Sequence, residues 1–536
     1  MLLHTLGTLA IVALAIYLAK VVRVLVSTRG QPGFITLFPP YSTWPTLFFT
    51  SRNHRVHLHR KAIWQKKADL FRDHGSTVLV VASLIPPKVT LIHAINADRK
   101  TFSKPASVNL RILSYYGPNI LTSDGEEWRR HRRLSATSFS ESNVAKAWDE
   151  AVRAVGEWHK RLEVAEHGGR SEVKSVEEVM ATVTLMVMGE AAFGISFPWP
   201  SSSSTNEASL QQSISTVFHE GLLPSLLPLW AVRLPLAGLK RMMEPFDELE
   251  AALEKMVKER KAEVESGGGA EREDLLSKLV KANVGVQGKD RLSDQELFSD
   301  AYIFTLGGYE TSSNTLAATF TLLALYPSHQ SRIFDEITSY LASASFSDFT
   351  YPEAYNALPY TLATIQEGLR LAGPVGDVLK RAEKDTFLVA HVPAQKGSDE
   401  REETRPVFVP KGAGINENLM AAHYESGTWS DAFEFRPSRF LEKGSDLQGF
   451  APFSSGLRGC IGKQFALAEM VVIVSLTLLK YRIEIFESHK EHWALSGGET
   501  ERERRDRVFQ DSWPFSFFPK HVDLAFVRRC EGEKEG

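Results

Sequence analysis

The chain has 536 residues, 43% apolar and 10% aromatic, enough to bury a large core and too many for a disordered chain. Lys and Arg total 62 against 65 Asp and Glu, a formal charge of −3, which argues against a nucleic-acid binder. Its two cysteines, Cys460 and Cys530, exclude a disulfide scaffold and suit a reducing compartment.

The first predicted element is a membrane anchor over residues 1–28. Leu2 to Val26 reads LLHTLGTLAIVALAIYLAKVVRVLV, with Lys20 and Arg23 late enough to snorkel. No Lys or Arg precedes the apolar run, so a cleaved signal peptide lacks its basic start. Lys20, Arg23 and Arg29 follow it, and the positive-inside rule leaves the body of the protein cytosolic. Residues 29–50, with Pro32, Pro39, Pro40 and Pro45, read as a stiff, non-helical connector.

Residues 51–536 read as one large, mainly helical domain with a small β portion. Thr77 to Leu84 and Lys88 to His93 predict a hairpin around Pro86-Pro87. From about Glu126 to Tyr340 the pattern is helical, broken by loops at 199–204 and 266–269. The second loop separates a helix ending near Glu265 from one beginning near Asp274. Residues 390–412 form a charged insertion between short strands, and 497–508 a polar loop. The stretch 222–239, apolar and broken by Pro224, Pro228 and Pro235, has two readings. It is a buried connector, or a second membrane contact with Trp230 and Arg233 at headgroup level.

Phosphate-loop, G-x-S-x-G, H-E-x-x-H and C-x-x-C motifs are absent. What stands out is Phe453-Ser454-Ser455-Gly456-Leu457-Arg458-Gly459-Cys460-Ile461-Gly462, followed by the helical run KQFALAEMVVIVSL. A lone cysteine is usually an inert core thiol. Here three glycines permit close approach of backbone to a flat ligand, and a helix N-terminus favours the thiolate. A loop thiolate beside an arginine suits a haem iron ligand with a propionate counter-charge.

The pattern F-x-x-G-x-R-x-C-x-G resembles the haem-binding signature of the cytochrome P450 family at every specified position. Glu367-Gly368-Leu369-Arg370 matches the family's E-x-x-R, and Phe435 to Phe440 looks like its F-x-P-x-R-F segment. Gly307-Gly308-Tyr309-Glu310-Thr311-Ser312 resembles its central-helix motif, and Trp128 with Arg132 its W-x-x-x-R. The post-anchor Pro39-Pro40 departs from the family's P-P-G-P hinge.

The resemblance implies a P450 fold, mainly α with small β-sheets, in a single large domain after an N-terminal transmembrane helix. It implies haem b held by the thiolate of Cys460, the metal ligand. Propionate contacts would come from Trp128, Arg132, Arg381 and Arg458, and Glu310 and Thr311 would carry protons at the distal side. Glu367, Arg370 and Arg439 would form a buried ion-pair triad, and Gly307-Gly308 would let the central helix pass close over the haem. The implied activity is insertion of one oxygen atom from O2 into an apolar small molecule, first a terpenoid or sterol-like compound of secondary metabolism. NADPH would supply electrons through cytochrome P450 reductase, with cytochrome b5 as a second donor, docking on Arg129, Arg130, Arg133 and Lys463. The pocket would draw on 103–121, 222–239, the central helix and Val375 to Leu379. The implied location is the endoplasmic reticulum membrane, single-pass, with the lipid bilayer as a partner. Two rivals are a reductase-independent haem-thiolate isomerase or dehydratase, and a non-enzymatic haem-binding membrane protein.

Overall fold

The computed structural model describes residues 2–40, 68–85, 87–93, 102–103, 111–200, 206–220, 229–267, 272–343, 348–392, 403–426, 428–442, 447, 449–486, 498–508 and 522–529. In chain order the longer helices are α1 (Leu2–Thr28), α2 (Gly125–Ala136), α3 (Glu141–Val164), α4 (Val176–Phe193), α5 (Asn206–Glu220) and α6 (Ala237–Glu265). They continue with α7 (Leu275–Val284), α8 (Asp294–Leu325), α9 (Ser328–Ser343), α10 (Pro359–Ala372), α11 (Lys463–Lys480) and α12 (Glu501–Val508). The strands are β1 (Gly33–Thr36), β2 (Val78–Leu84), β3 (Pro87–His93), β4 (Phe102–Ser103), β5 (Arg170–Val173) and β6 (Asp377–Ala382). After them come β7 (Thr386–Val392), β8 (Glu403–Val409), β9 (Gly414–Asn418), β10 (Tyr481–Ile485) and β11 (Leu524–Arg528).

The chain forms two compact units. The first comprises Met1–Val108, Val375–Phe433 and Asp446–Pro452. Its main sheet has the order β1-β2-β3-β9-β6-β4. β2 and β3 pair antiparallel from Val78↔His93 to Leu84↔Pro87, the predicted hairpin. Both faces of this sheet are covered, which is why VLVVASL reads as a continuous apolar run. Val78, Val80, Leu91 and Ile415 pack on one side, and Leu79, Val81, Ile92 and Phe71 on the other. α1 carries the candidate membrane span Thr8–Val26, of mean hydropathy 2.4 and with none of it buried. Near its C-terminal end Val24 packs against the sheet, and the Tyr17 hydroxyl donates to Leu84 O at 2.8 Å.

The connector is not wholly irregular. β1 lies inside it and pairs parallel to β2, Gly33 opposite Val80. A Cβ at Gly33 would overlap Val80 O, so only glycine permits this approach. Residues 41–67, with Pro45, lie outside the described residues. β7 and β8 pair antiparallel on either side of the charged insertion, whose residues 393–402 are likewise outside.

The second unit comprises Asn109–Pro374, Glu434–Ser445 and Phe453–Gly536 and is mostly helical. α8 runs through it. A capping box begins α8, with Ser293 and Glu296 each bonding the other's backbone. α6 ends at Glu265 and α7 starts after the N-cap Asp274, as the sequence predicts. A small sheet, β10-β11-β5, belongs to this unit, and β5 is a strand inside the stretch read as helical.

The polar stretch 497–508 is a correction: it holds helix α12, not only loop. Thr500 and Glu503 bond each other's backbone N–H groups, a capping box readable as T-x-x-E. In the stretch 222–239, residues 222–228 lie outside the described residues, as do 201–204 of the first loop. Beyond them Leu229–Val232 is a short helix, Leu234 and Leu236 are exposed, and Arg233 pairs with Asp247 at 3.1 Å.

Candidate haem site

The cysteine loop is built in the second unit. Gly456 has φ +64°, a conformation that favours glycine, and starts a 3-10 turn at Gly456–Arg458. The turn closes when Gly459 N–H donates to Gly456 O (2.9 Å), and Cys460 N–H reaches back to Phe453 O (2.8 Å). α11 starts three residues after the cysteine. Burial among these neighbours pushes the Cys460 thiol up, while the Gly462 N–H, Arg132 and Lys463 oppose that shift. Yet the side chain is exposed. A thiol ringed by protein and still accessible lines an opening rather than a packed core, which fits an axial ligand to a flat cofactor.

Two other predicted residues, Arg132 and Trp128, reach this loop, and a third, Arg458, lies within it. Arg132 donates to Gly459 O at 3.1 Å and has no carboxylate partner among the described residues. The Arg458 guanidinium lies 4.2 Å from the Trp128 ring centre, a cation–π contact. Arg458 also bonds Ser123 O (2.9 Å) and pairs with Asp124, the N-cap of α2. Burial pulls the Arg458 guanidinium down, and Asp124 opposes it. Arg381 lies in the first unit on β6, opposite Gly414 of β9 and Ser103 of β4. It is exposed, and Lys88 beside it is lowered by burial first and by Arg381 second.

α8 is buried along most of its length, but Leu306 to Thr311 includes the residues that open outward. A Cβ at Gly307 would meet nothing within 4 Å. Gly308 also has a packing contact of its own. A Cβ there would overlap Met188 Sδ, so this glycine lets α4 pack against α8. The Thr311 hydroxyl donates to Gly307 O at 2.6 Å, leaving its oxygen free to accept from a water. Glu310 lies beside it, half-buried.

On α10, Glu367 is fully buried and accepts four bonds among the described residues. Arg370 gives two at 2.8 Å, and Arg439 Nε gives one at 3.1 Å. The fourth, from Arg436 N–H at 2.9 Å, is invisible to spacing arguments. The triad is therefore assembled, and Arg370 also holds Glu434 O at 3.1 Å.

Motif spacing misses one acidic group. Glu469 of α11 is fully buried, neither oxygen has a hydrogen-bond partner of good geometry among the described residues, and burial raises its carboxyl far above the usual range. Ser312 of α8 is its polar neighbour and opposes that shift. A Glu inside the apolar run after the cysteine is the signal that could have found it.

The expected basic docking face is largely neutralised. Arg129 pairs with Glu126, Arg130 with Glu296, and Arg133 with Asp290 at 3.1 Å. Lys463 keeps no carboxylate partner among the described residues. In the stretch 103–121, residues 104–110 lie outside the described residues. Tyr116 is packed in the core, its hydroxyl on Phe246 O (2.9 Å) and its ring 4.8 Å from that of Tyr302.

Comparison with known families matches residues 75–496 to Cytochrome P450. The chain is 30% identical over 484 residues to cytochrome P450 monooxygenase 124 of Postia placenta, covering 87% of this chain and 89% of that one. It is 26% identical over 426 residues to ganoderic acid synthetase CYP5150L8 of Ganoderma lucidum, covering 73% of this chain and 77% of that one. A solved structure, the cytochrome P450DA heme domain, superposes with a TM-score of 0.69 at 17% identity, covering 89% of this chain and 96% of that one, a likeness of fold. The chain belongs to the cytochrome P450 family and is a monooxygenase. Membership implies haem bound through a cysteine thiolate, and the accessible, protein-ringed Cys460 fits that demand.

Proposed function

We propose that this protein inserts one oxygen atom from O2 into an apolar small molecule of the terpenoid or sterol-like class. NADPH supplies the electrons through a reductase at the endoplasmic reticulum membrane, with the catalytic part cytosolic. The observation that carries the reading is the Cys460 loop, with its accessible thiol flanked by Arg132, Trp128 and Arg458. The likeness to a ganoderic acid synthetase supports terpenoid-type tailoring.

Haem held by the Cys460 thiolate supplies the electron-rich iron on which oxygen is activated. Arg132, Trp128 and Arg458 hold the propionates, and Arg381 takes the same role from its motif position. Gly307 leaves its side of α8 open. Thr311 holds a water by accepting its hydrogen bond, and Glu310 passes protons toward it.

The test is the carbon monoxide spectrum of the reduced protein, together with NADPH-dependent turnover in the presence of a reductase. Wild type and Cys530→Ser give a thiolate-type spectrum, and Cys460→Ser loses it. Cys530 lies outside the described residues. A thiolate spectrum that survives Cys460→Ser overturns the ligand assignment. Turnover without a reductase favours the isomerase or dehydratase reading, and no turnover favours the haem-binding one.

A further inference from the structure

α2 does two jobs at once. One side of it reaches the cysteine loop, through Arg132 on Gly459 O and through Trp128 against Arg458. Another side reaches α8. His131 is fully buried, and its Nδ1 lies 2.7 Å from Asp300 Oδ2, a carboxylate that is itself fully buried. The other Asp300 oxygen accepts Ile120 N–H at 2.7 Å. His131 Nε2 is 3.5 Å from Glu296 Oε1, and Arg130 of α2 holds that same carboxylate. Asn119 ties the preceding loop to α8 through Ser299 (3.2 Å).

A carboxylate as deep as Asp300 is costly to bury without a matched partner. Among the described residues its partners are one imidazole and one backbone N–H, and both belong to the segment that leads into and forms α2. α2 is only twelve residues long, so the direction of Arg132 follows from how the helix is seated. His131 and Arg132 are adjacent and about 100° apart on the helix, one aimed at α8 and the other at the loop.

We infer that His131 is a positioning residue for the cofactor: clamped to Asp300, it seats α2 so that Arg132 meets the haem propionate beside the Cys460 loop. The inference rests on the propionate role proposed for Arg132 and adds the residue through which that role is set. Asp300 is the fixed post, and Arg130 with Glu296 is the second tie along the same helix.

The experiment follows haem transfer from the holoenzyme to an excess of apomyoglobin. It compares wild type, His131→Leu, Arg132→Ala and the double variant, with Glu127→Ala, at an exposed position of the same helix, as the control. Arg132→Ala and His131→Leu should each release haem about tenfold faster. The double variant should be no faster than Arg132→Ala, because a residue acting through another adds nothing once that other is gone. Glu127→Ala should match wild type. If His131→Leu does not fold, His131→Asn, which keeps a donor toward Asp300, is read in the same cycle and should fall between wild type and Arg132→Ala. Wild-type haem retention in Arg132→Ala overturns the propionate assignment, and the inference with it. Faster release in Arg132→Ala together with wild-type release in His131→Leu, or additive rates in the double variant, overturns the inference alone.

Discussion

At the scale of single residues, oxygen chemistry depends on where protons are held. The Thr311 hydroxyl is tied back to Gly307 O, so its oxygen can only accept from a further partner. Thr311→Ala keeps a good helix former, so fold and haem content should survive. NADPH consumption should continue, product per NADPH should fall, and hydrogen peroxide should rise, all measured on one substrate. Unchanged coupling would make Thr311 a packing residue. Glu469 gives a stability signature instead. Burial raises its folded-state pKa well above that of the unfolded chain. Between the two values the folded state keeps a proton that the unfolded state has released. Stability therefore falls as pH rises through that window, by about 1.4 kcal/mol per pH unit at the steepest. Glu469→Gln, neutral at every pH, should flatten this slope in denaturant melts recorded from acid to neutral pH. An unchanged slope would mean that Glu469 is ionised in the native state.

At the scale of elements, the helix pairs explain residues that look functional. Gly308 sits where α4 crosses α8, against Met188, and Gly368 of α10 sits against Thr319 of α8. Each removes a side chain so that two helices can approach. Gly308→Ala gains helix propensity but forces Met188 aside, and overpacking of this kind costs about 1–3 kcal/mol. Gly307→Ala meets no neighbour and should hold or raise the melting temperature. A thermal melt separates them, and equal melting temperatures would show that Met188 adjusts freely. The capping boxes at Ser293 and Thr500 act at the same scale, each supplying backbone partners that a helix start lacks.

At the scale of the whole molecule, charge and apolar surface decide where the protein sits. The net charge of −3 is small, and three of the four expected docking cations already have acidic partners. Attraction of an electron donor by this face is therefore weaker than a count of arginines suggests. α1 carries the candidate membrane span Thr8–Val26, none of its residues buried, and is the anchor in the proposed membrane-bound state. Deleting residues 1–28 should release most of the protein from membranes. A salt-resistant fraction should remain through the exposed Leu234 and Leu236, and Asp at both positions should release it. Complete solubility of the truncated protein would show that the 222–239 stretch makes no lipid contact.

Much of this is legible in the sequence, for physical reasons. The apolar N-terminal run, the β2–β3 hairpin, the boundary at Glu265 and Asp274, and the spacing of Glu367, Arg370 and Cys460 are local patterns carried by neighbouring residues. The T-x-x-E start of α12 is equally local but hidden among its charges. Other features exist only once distant segments meet. Gly33 is required by Val80 on the next strand of the sheet, and Gly308 by Met188 on another helix. Asp300 needs His131, and Arg436 lends Glu367 a backbone N–H that no side-chain motif encodes. Periodicity and motif spacing report what a residue does within its own turn or strand. Close approach, burial and the pairing of charges depend on which surfaces the tertiary fold presses together, and those decided the rest.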